Sequence, residues 1–167
     1  MLITDDKLRQ VDLLKLVRIS KKISNEEFKL MIYFFQKTKI VPVNVILLKE
    51  YSPFIFFFVN KKDFNPAKQH INRLRRDLPN KVLIIRVERT LKDLIYSFFP
   101  DLTISDLKIN GYDGDVLNIQ LFFKSFKERG IAIGRNGDYI KTVNLLLNDY
   151  VSISNCTETI NVECKTE

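Results

Sequence analysis

Gly134 and Gly137 constrain this chain more than any other pair of residues. Helix-like sequence runs up to Ile131-Ala132-Ile133 and resumes at Asp138-Tyr139-Ile140-Lys141. The chain therefore has to leave one helix and start the next within Gly134-Arg135-Asn136-Gly137. Glycine permits backbone angles that side chains disfavour, and it lets a backbone approach a ligand with no Cβ in the way. The second glycine opens a helix that Asp138 is placed to cap, and the first amides of a helix attract phosphate. The plain alternative is a helix–helix turn with no ligand.

Charge points the same way as the loop. The chain has 167 residues, enough for one or two small domains, with 27 Lys and Arg against 20 Asp and Glu and a formal net charge of +7. A basic balance favours a polyanion, nucleic acid ahead of an anionic membrane. Cys156 and Cys164 form no Cys-x-x-Cys pair, and His70 lies far from both in sequence, which argues against zinc. Reduced thiols suit an intracellular protein. The opening Met1-Leu2-Ile3-Thr4-Asp5-Asp6 lacks the basic start and apolar run of a secretory signal, and residues 53–59 are too few to span a membrane. No Ser, Cys or carboxylate arrangement accompanies His70, no carboxylates pair as acid and base, and no phosphate-hydrolysis loop is present. An enzyme is not expected, and neither is a cofactor or a metal. The expectation is a soluble protein of the cytoplasm, or of an organelle matrix or stroma.

Periodicity predicts the elements. Thr4-Asp5-Asp6 is placed to cap a first helix with Leu8, Val11 and Leu14 among its apolar positions. Ser24 opens a second, with Glu26 and Glu27 in its first turn and Phe28, Met31, Ile32 and Phe35 as its apolar stripe. Residues 41–48 and 54–59 read as a hairpin, the second strand apolar throughout and so covered on both faces. A polar connector, a basic helix over 67–77 and a strand over 81–87 follow. The pattern then restarts: a helix over 90–99, strands over 104–110 and 115–123 joined by Gly111-Tyr112-Asp113-Gly114, a helix over 126–133, the glycine loop, a helix over 138–147 and a strand over 150–154. The expected boundaries are 1–88, 89–155 and a loose polar tail, 156–167.

The second half, in this order and with its glycine loop between two helices, has the type II KH arrangement, and the first half repeats the order without the loop. In KH domains a G-x-x-G loop clamps about four nucleotides of single-stranded nucleic acid. The fold expected is α+β: two tandem type II KH domains, each a three-stranded sheet with helices on one face. The chain also resembles the archaeal NusA-like transcription termination and antitermination factors, over most of residues 1–155. The resemblance lies in Ile3-Thr4-Asp5-Asp6-Lys7-Leu8-Arg9-Gln10-Val11-Asp12-Leu13-Leu14, in residues 78–99, and most specifically in Gly130-Ile131-Ala132-Ile133-Gly134-Arg135-Asn136-Gly137. The last follows the family's G-L-A-I-G-K-x-G signature with Arg135 for the usual Lys. The resemblance implies an RNA-binding elongation factor whose partners are nascent RNA and RNA polymerase. The chain departs from the family twice. Residues 61–70 hold no glycine where the first KH domain has its own loop, and 20–37 looks like an added helix.

These readings nominate Ile133, Gly134, Arg135, Asn136, Gly137, Ile140, Lys141, Lys127 and Arg129 for RNA. The loop and cations would take phosphates, and of the apolar residues nearby Ile133 and Ile140 would lie under a base while Ile131 and Ile119 go to the core. Lys124, and Phe126 beside it, stand near the same loop. Lys68, Arg73, Arg75 and Arg76 form a second basic patch, fit for phosphates, for an acidic protein surface, or simply for water. The first half is then a spacer or a protein-docking module. The main alternative is a ribosomal or ribosome-associated KH protein that binds rRNA; a second is an adaptor that has lost RNA binding.

Overall fold

A computed structural model describes residues 12–156 and 158–167. The chain divides into two units, a contiguous one, 21–88, and a split one built from 1–20 and 89–167. Its first strand, β1 (Val17–Ile19), belongs to the split unit.

In the contiguous unit, Ser24 starts α1 (Asn25–Thr38) with a reciprocal capping box. Its hydroxyl accepts from the Glu27 amide at 3.1 Å, and Glu27 Oε1 accepts from the Ser24 amide at 3.0 Å. β2 (Asn44–Leu48) and β3 (Phe54–Val59) pair antiparallel, and β4 (Lys81–Arg86) lies parallel to β3 on its other side, giving the order β2-β3-β4. The crossover from β3 to β4 runs through α2 (Lys61–Lys68) and α3 (Ile71–Asp77). Phe34 from α1, Ala67 from α2 and Leu74 from α3 meet Ile55, Phe57 and Val59 of β3, so all three helices share one face of the sheet. The Phe34 and Phe57 rings stack with centroids 4.5 Å apart. β3 is buried at every position, as a central strand should be.

Two details differ from expectation. The apolar stripe of α1 is rotated: Phe34 points inward with Leu30 and Met31 beside it, while Phe28, Ile32 and Phe35 are exposed. The reason is Glu27. Its carboxylate is committed to the capping box and to the Leu47 amide, and that turns the 27, 34 and 38 line toward the sheet. The connector expected before Ala67 is the helix α2, with Pro66 inside it. Burial of Ala67, with Phe64 packed against the core, outweighs the amide that Pro66 cannot donate.

In the split unit, Thr90 caps α4 (Leu91–Ser97), and Leu91, Leu94, Ile95 and the following Phe98 are buried as expected. β5 (Ile104–Asp113) and β6 (Val116–Phe123) form a hairpin closed by Gly114-Asp115, so β5 runs on through Gly111, Tyr112 and Asp113, three of the four residues assigned to the turn. α5 (Phe126–Ile133), a short turn and α6 (Asp138–Tyr150) follow, then β7 (Val151–Ile153) and β8 (Thr159–Thr166). β8 lies parallel to β6, giving the order β5-β6-β8, whereas β7 pairs antiparallel with β1 in a separate ribbon. The third strand of the sheet is therefore not 150–154. It lies in the segment expected to be a loose tail. Ile160, Val162 and Cys164 are buried opposite Leu117, Ile119 and Leu121, and the alternation with polar residues is that of a half-buried strand. Residues 1–20 group with this unit and not with the first half. The expected cap at Thr4-Asp5-Asp6 lies outside the described residues; of the leucines that follow, Leu13 is buried while Leu14 and Leu16 are exposed.

With the β1–β7 ribbon set aside, the two units share one order: helix, strand, strand, helix, turn, helix, strand. In each sheet the first pair is antiparallel and the second parallel. The architecture is α+β. Among the described residues no helix is long and apolar enough to cross a membrane.

Candidate nucleic-acid interface

Ser125 starts α5 by accepting from the Glu128 amide at 3.1 Å, and α5 ends at Gly134, whose amide donates to the Gly130 carbonyl at 3.0 Å. Gly134 has φ 80° and ψ 174°, a region open to little besides glycine. A Cβ there would sit 2.2 Å from Asp138 Oδ1 and 2.9 Å from the Tyr139 amide nitrogen. Arg135 then takes a helical conformation and Asn136 a left-handed one, φ 55° and ψ 24°. Successive amides in that sequence of conformations turn toward one concavity, a shape that binds anions. Gly137, φ 75°, is the N-cap of α6; its amide donates to the Gly134 carbonyl at 3.2 Å, and the Asp138 amide donates to the Arg135 carbonyl. Among the described residues, the loop's hydrogen bonds leave the Arg135 and Asn136 amides unused.

The helices on either side are held firmly. Tyr139 donates its hydroxyl to the Phe98 carbonyl, and its ring meets Phe99 edge-on at 5.7 Å; burial pushes the phenol pKa far above its ordinary value. Asn144 and Asn148, one turn apart on α6, act as strand backbone toward the open edge of β8. Asn144 donates to the Val162 carbonyl at 3.1 Å and accepts from the Val162 amide at 2.8 Å. Asn148 does the same at Ile160, at 2.8 and 2.7 Å. Arg129 Nε donates to the Cys164 carbonyl at 2.9 Å, one step further along that edge.

The residues nominated for RNA therefore fall into three groups. Arg135 and Asn136 are exposed in the loop and Lys141 beside it, with Lys141 Nζ reaching back to the Asn136 carbonyl at 3.3 Å, while Lys127 is exposed in the first turn of α5, at the far end of that helix from the loop. Gly134, Gly137, Ile133 and Ile140 are half-buried at its base. Arg129 has a structural tie to β8 instead of standing open to solvent. Asp138, expected to cap α6, is its first residue and buried; the cap position is Gly137. Lys124 is exposed, Phe126 and Ile131 are markedly so at 79% and 55%, and Ile119 is core. Sequence reasoning passed over Ile131 as core material.

The equivalent junction of the contiguous unit is Gln69-His70, between α2 and α3, with no glycine. Arg75 donates from Nε and Nη2 to the Val82 carbonyl at 3.3 and 3.2 Å, so it clamps α3 to β4 as the asparagines clamp α6 to β8. Arg73 and Arg76 are exposed, and Lys68 lies over the Phe64 ring at 5.9 Å. The second basic patch is thus Lys68, Arg73 and Arg76, with Arg75 in a structural role.

No protein-family model matches the chain, and no curated protein matches it. Among solved structures, the crystal structure of APE1850 is similar over 86% of this chain and 100% of its own, with a TM-score of 0.59 and 20% sequence identity. At that identity the likeness establishes a shared fold for the two chains, and it carries nothing about activity.

Proposed function

We propose that the chain is a single-stranded RNA-binding protein of two tandem type II KH domains, the second active through Gly134–Gly137. The observation that carries this reading is the turn between α5 and α6. Its two glycines, its left-handed Asn136 and its unused Arg135 and Asn136 amides make an anion cradle, with the Arg135 side chain on it and Lys141 reaching back to it. Phosphates of a bound strand would take the amides and cations, and the half-buried Ile133 and Ile140 would meet a base. The resemblance to archaeal NusA-like factors extends the reading to transcription termination or antitermination, with RNA polymerase as the protein partner.

The test is fluorescence anisotropy with short labelled single-stranded RNAs. The double variant Arg135→Asp/Asn136→Asp keeps both glycines and places two carboxylates at the cradle. Its affinity is expected to fall at least about 10-fold, since it loses one cation and repels phosphate. Equal binding by the folded variant would remove the loop from the interface. Co-purification with polymerase subunits, and not with ribosomal particles, is the matching test of the transcription role.

A further inference from the structure

The two units share one topology, but they do not share the charge. The contiguous unit, 21–88, holds fourteen Lys and Arg against six Asp and Glu; the split unit holds thirteen against fourteen. The excess of the whole chain, +7, is therefore lodged in the unit without a glycine loop. The imbalance is sharpest in the matching second halves. Residues 61–88 carry eight basic and three acidic side chains, while 126–166 carry five of each. The three acids are already engaged or outnumbered: Asp77 accepts from the Tyr33 hydroxyl at 2.7 Å, Glu88 lies 3.6 Å from Arg86 and 4.0 Å from Lys61, and Asp63 sits in the first turn of α2. Of the cations, Arg75 is bonded to the Val82 carbonyl, and Lys68 and Arg86 lie over the Phe64 ring. Lys62, Arg73 and Arg76 remain exposed on α2 and α3.

A loop on a unit with no excess of basic residues can orient phosphates, but that unit supplies little long-range attraction; counterion release scales with the number of cations that meet the strand. We propose that the glycine-free unit is the electrostatic anchor for the RNA backbone, through Lys62, Arg73 and Arg76, and is not a spacer. The anchor has no sequence preference of its own. It captures and retains the strand. This rests on the reading that the chain binds RNA, but not on the loop being the clamp.

The experiment measures binding of a labelled oligouridylate of roughly 12 nucleotides from about 50 to about 300 mM KCl, for three full-length proteins. They are wild type, Lys62→Gln/Arg73→Gln/Arg76→Gln, and Arg135→Asp/Asn136→Asp. All three glutamine sites are exposed, and unchanged urea midpoints confirm that the variants fold. The triple variant is expected to bind about 10- to 100-fold more weakly, with the slope of log K against log salt shallower by about 2, since each single-strand phosphate contact contributes about 0.7. The loop variant is expected to change that slope by about 1 or less. A triple variant with wild-type slope and affinity overturns the anchor. If the loop variant alone then loses binding, the loop reading stands without it; if the triple variant alone loses binding, the anchor stands and the loop reading falls. Wild type that binds no RNA overturns both.

Discussion

At the scale of single residues, the three glycines around the loop have three different roles, and substitution separates them. Gly134 needs a glycine-only backbone conformation and has Asp138 and Tyr139 against the space a methyl would take, at 2.2 Å and 2.8 Å. Gly134→Ala is expected to destabilise the split unit by about 3 kcal/mol. Gly137 has only the flexible Lys141 side chain nearby, at 3.4 Å, so Gly137→Ala should cost about 1 kcal/mol, mostly from its positive φ. Gly130 lies in α5 with nothing within 4 Å of an added Cβ, and Gly130→Ala should stabilise by roughly 0.5–1 kcal/mol. Urea titrations followed by circular dichroism would give the order; a Gly134→Ala protein as stable as wild type would contradict the loop geometry. This part of the molecule was legible in advance because glycine acts locally. The same local logic misjudged Asp138, since which of two adjacent residues becomes the cap depends on the angle at which α6 must leave to seat Tyr139.

At the scale of elements, buried polar side chains fix how helices meet sheet edges. Glu27 is 2% exposed and accepts from Lys21 at 2.5 Å, from Leu47 at 2.9 Å and from Ser24 at 3.0 Å. Burial opposes its charge, but the Lys21 ammonium and the two amides outweigh burial and hold its pKa below the ordinary glutamate range. A carboxyl depressed on folding adds stability that is complete above the unfolded glutamate pKa, and that is lost as pH falls through the folded value. The contiguous unit should therefore weaken below about pH 5, and Glu27→Gln should flatten that dependence while costing about 2–3 kcal/mol at neutral pH. Urea midpoints across a pH series check both limbs; an unchanged acid limb in the variant would refute the assignment. Ser24 and Glu27 were recognisable as a helix start, yet not the burial of Glu27. The stripe of Phe28, Ile32 and Phe35 was therefore assigned to the wrong side of a helix that is apolar on two sides.

At the scale of the whole molecule, the split unit depends on its last strand. β8 covers one edge of β6 and brings Ile160, Val162 and Cys164 into the core. The Cys164 thiol is pushed up to about 12 by that burial, with Arg129 pulling the other way. Ending the chain at residue 155 should unfold the split unit and leave the contiguous one intact. In an amide NMR spectrum, dispersed signals should survive for 21–88 and collapse for 89–155; dispersion across both would show that β8 is dispensable. The strand was readable in principle from the alternation Ile160, Val162, Cys164. The pairing of β1 with β7 was not, because no local pattern announces a partner that far along the chain. That pairing joins Val17 to Ile153. During synthesis the contiguous unit is complete in sequence once residue 88 has emerged, but Val17–Ile19 has no strand partner until Val151–Ile153 has been made. The molecule consequently acquires its two halves in reverse of their order of appearance: the piece that starts first is the piece that closes last.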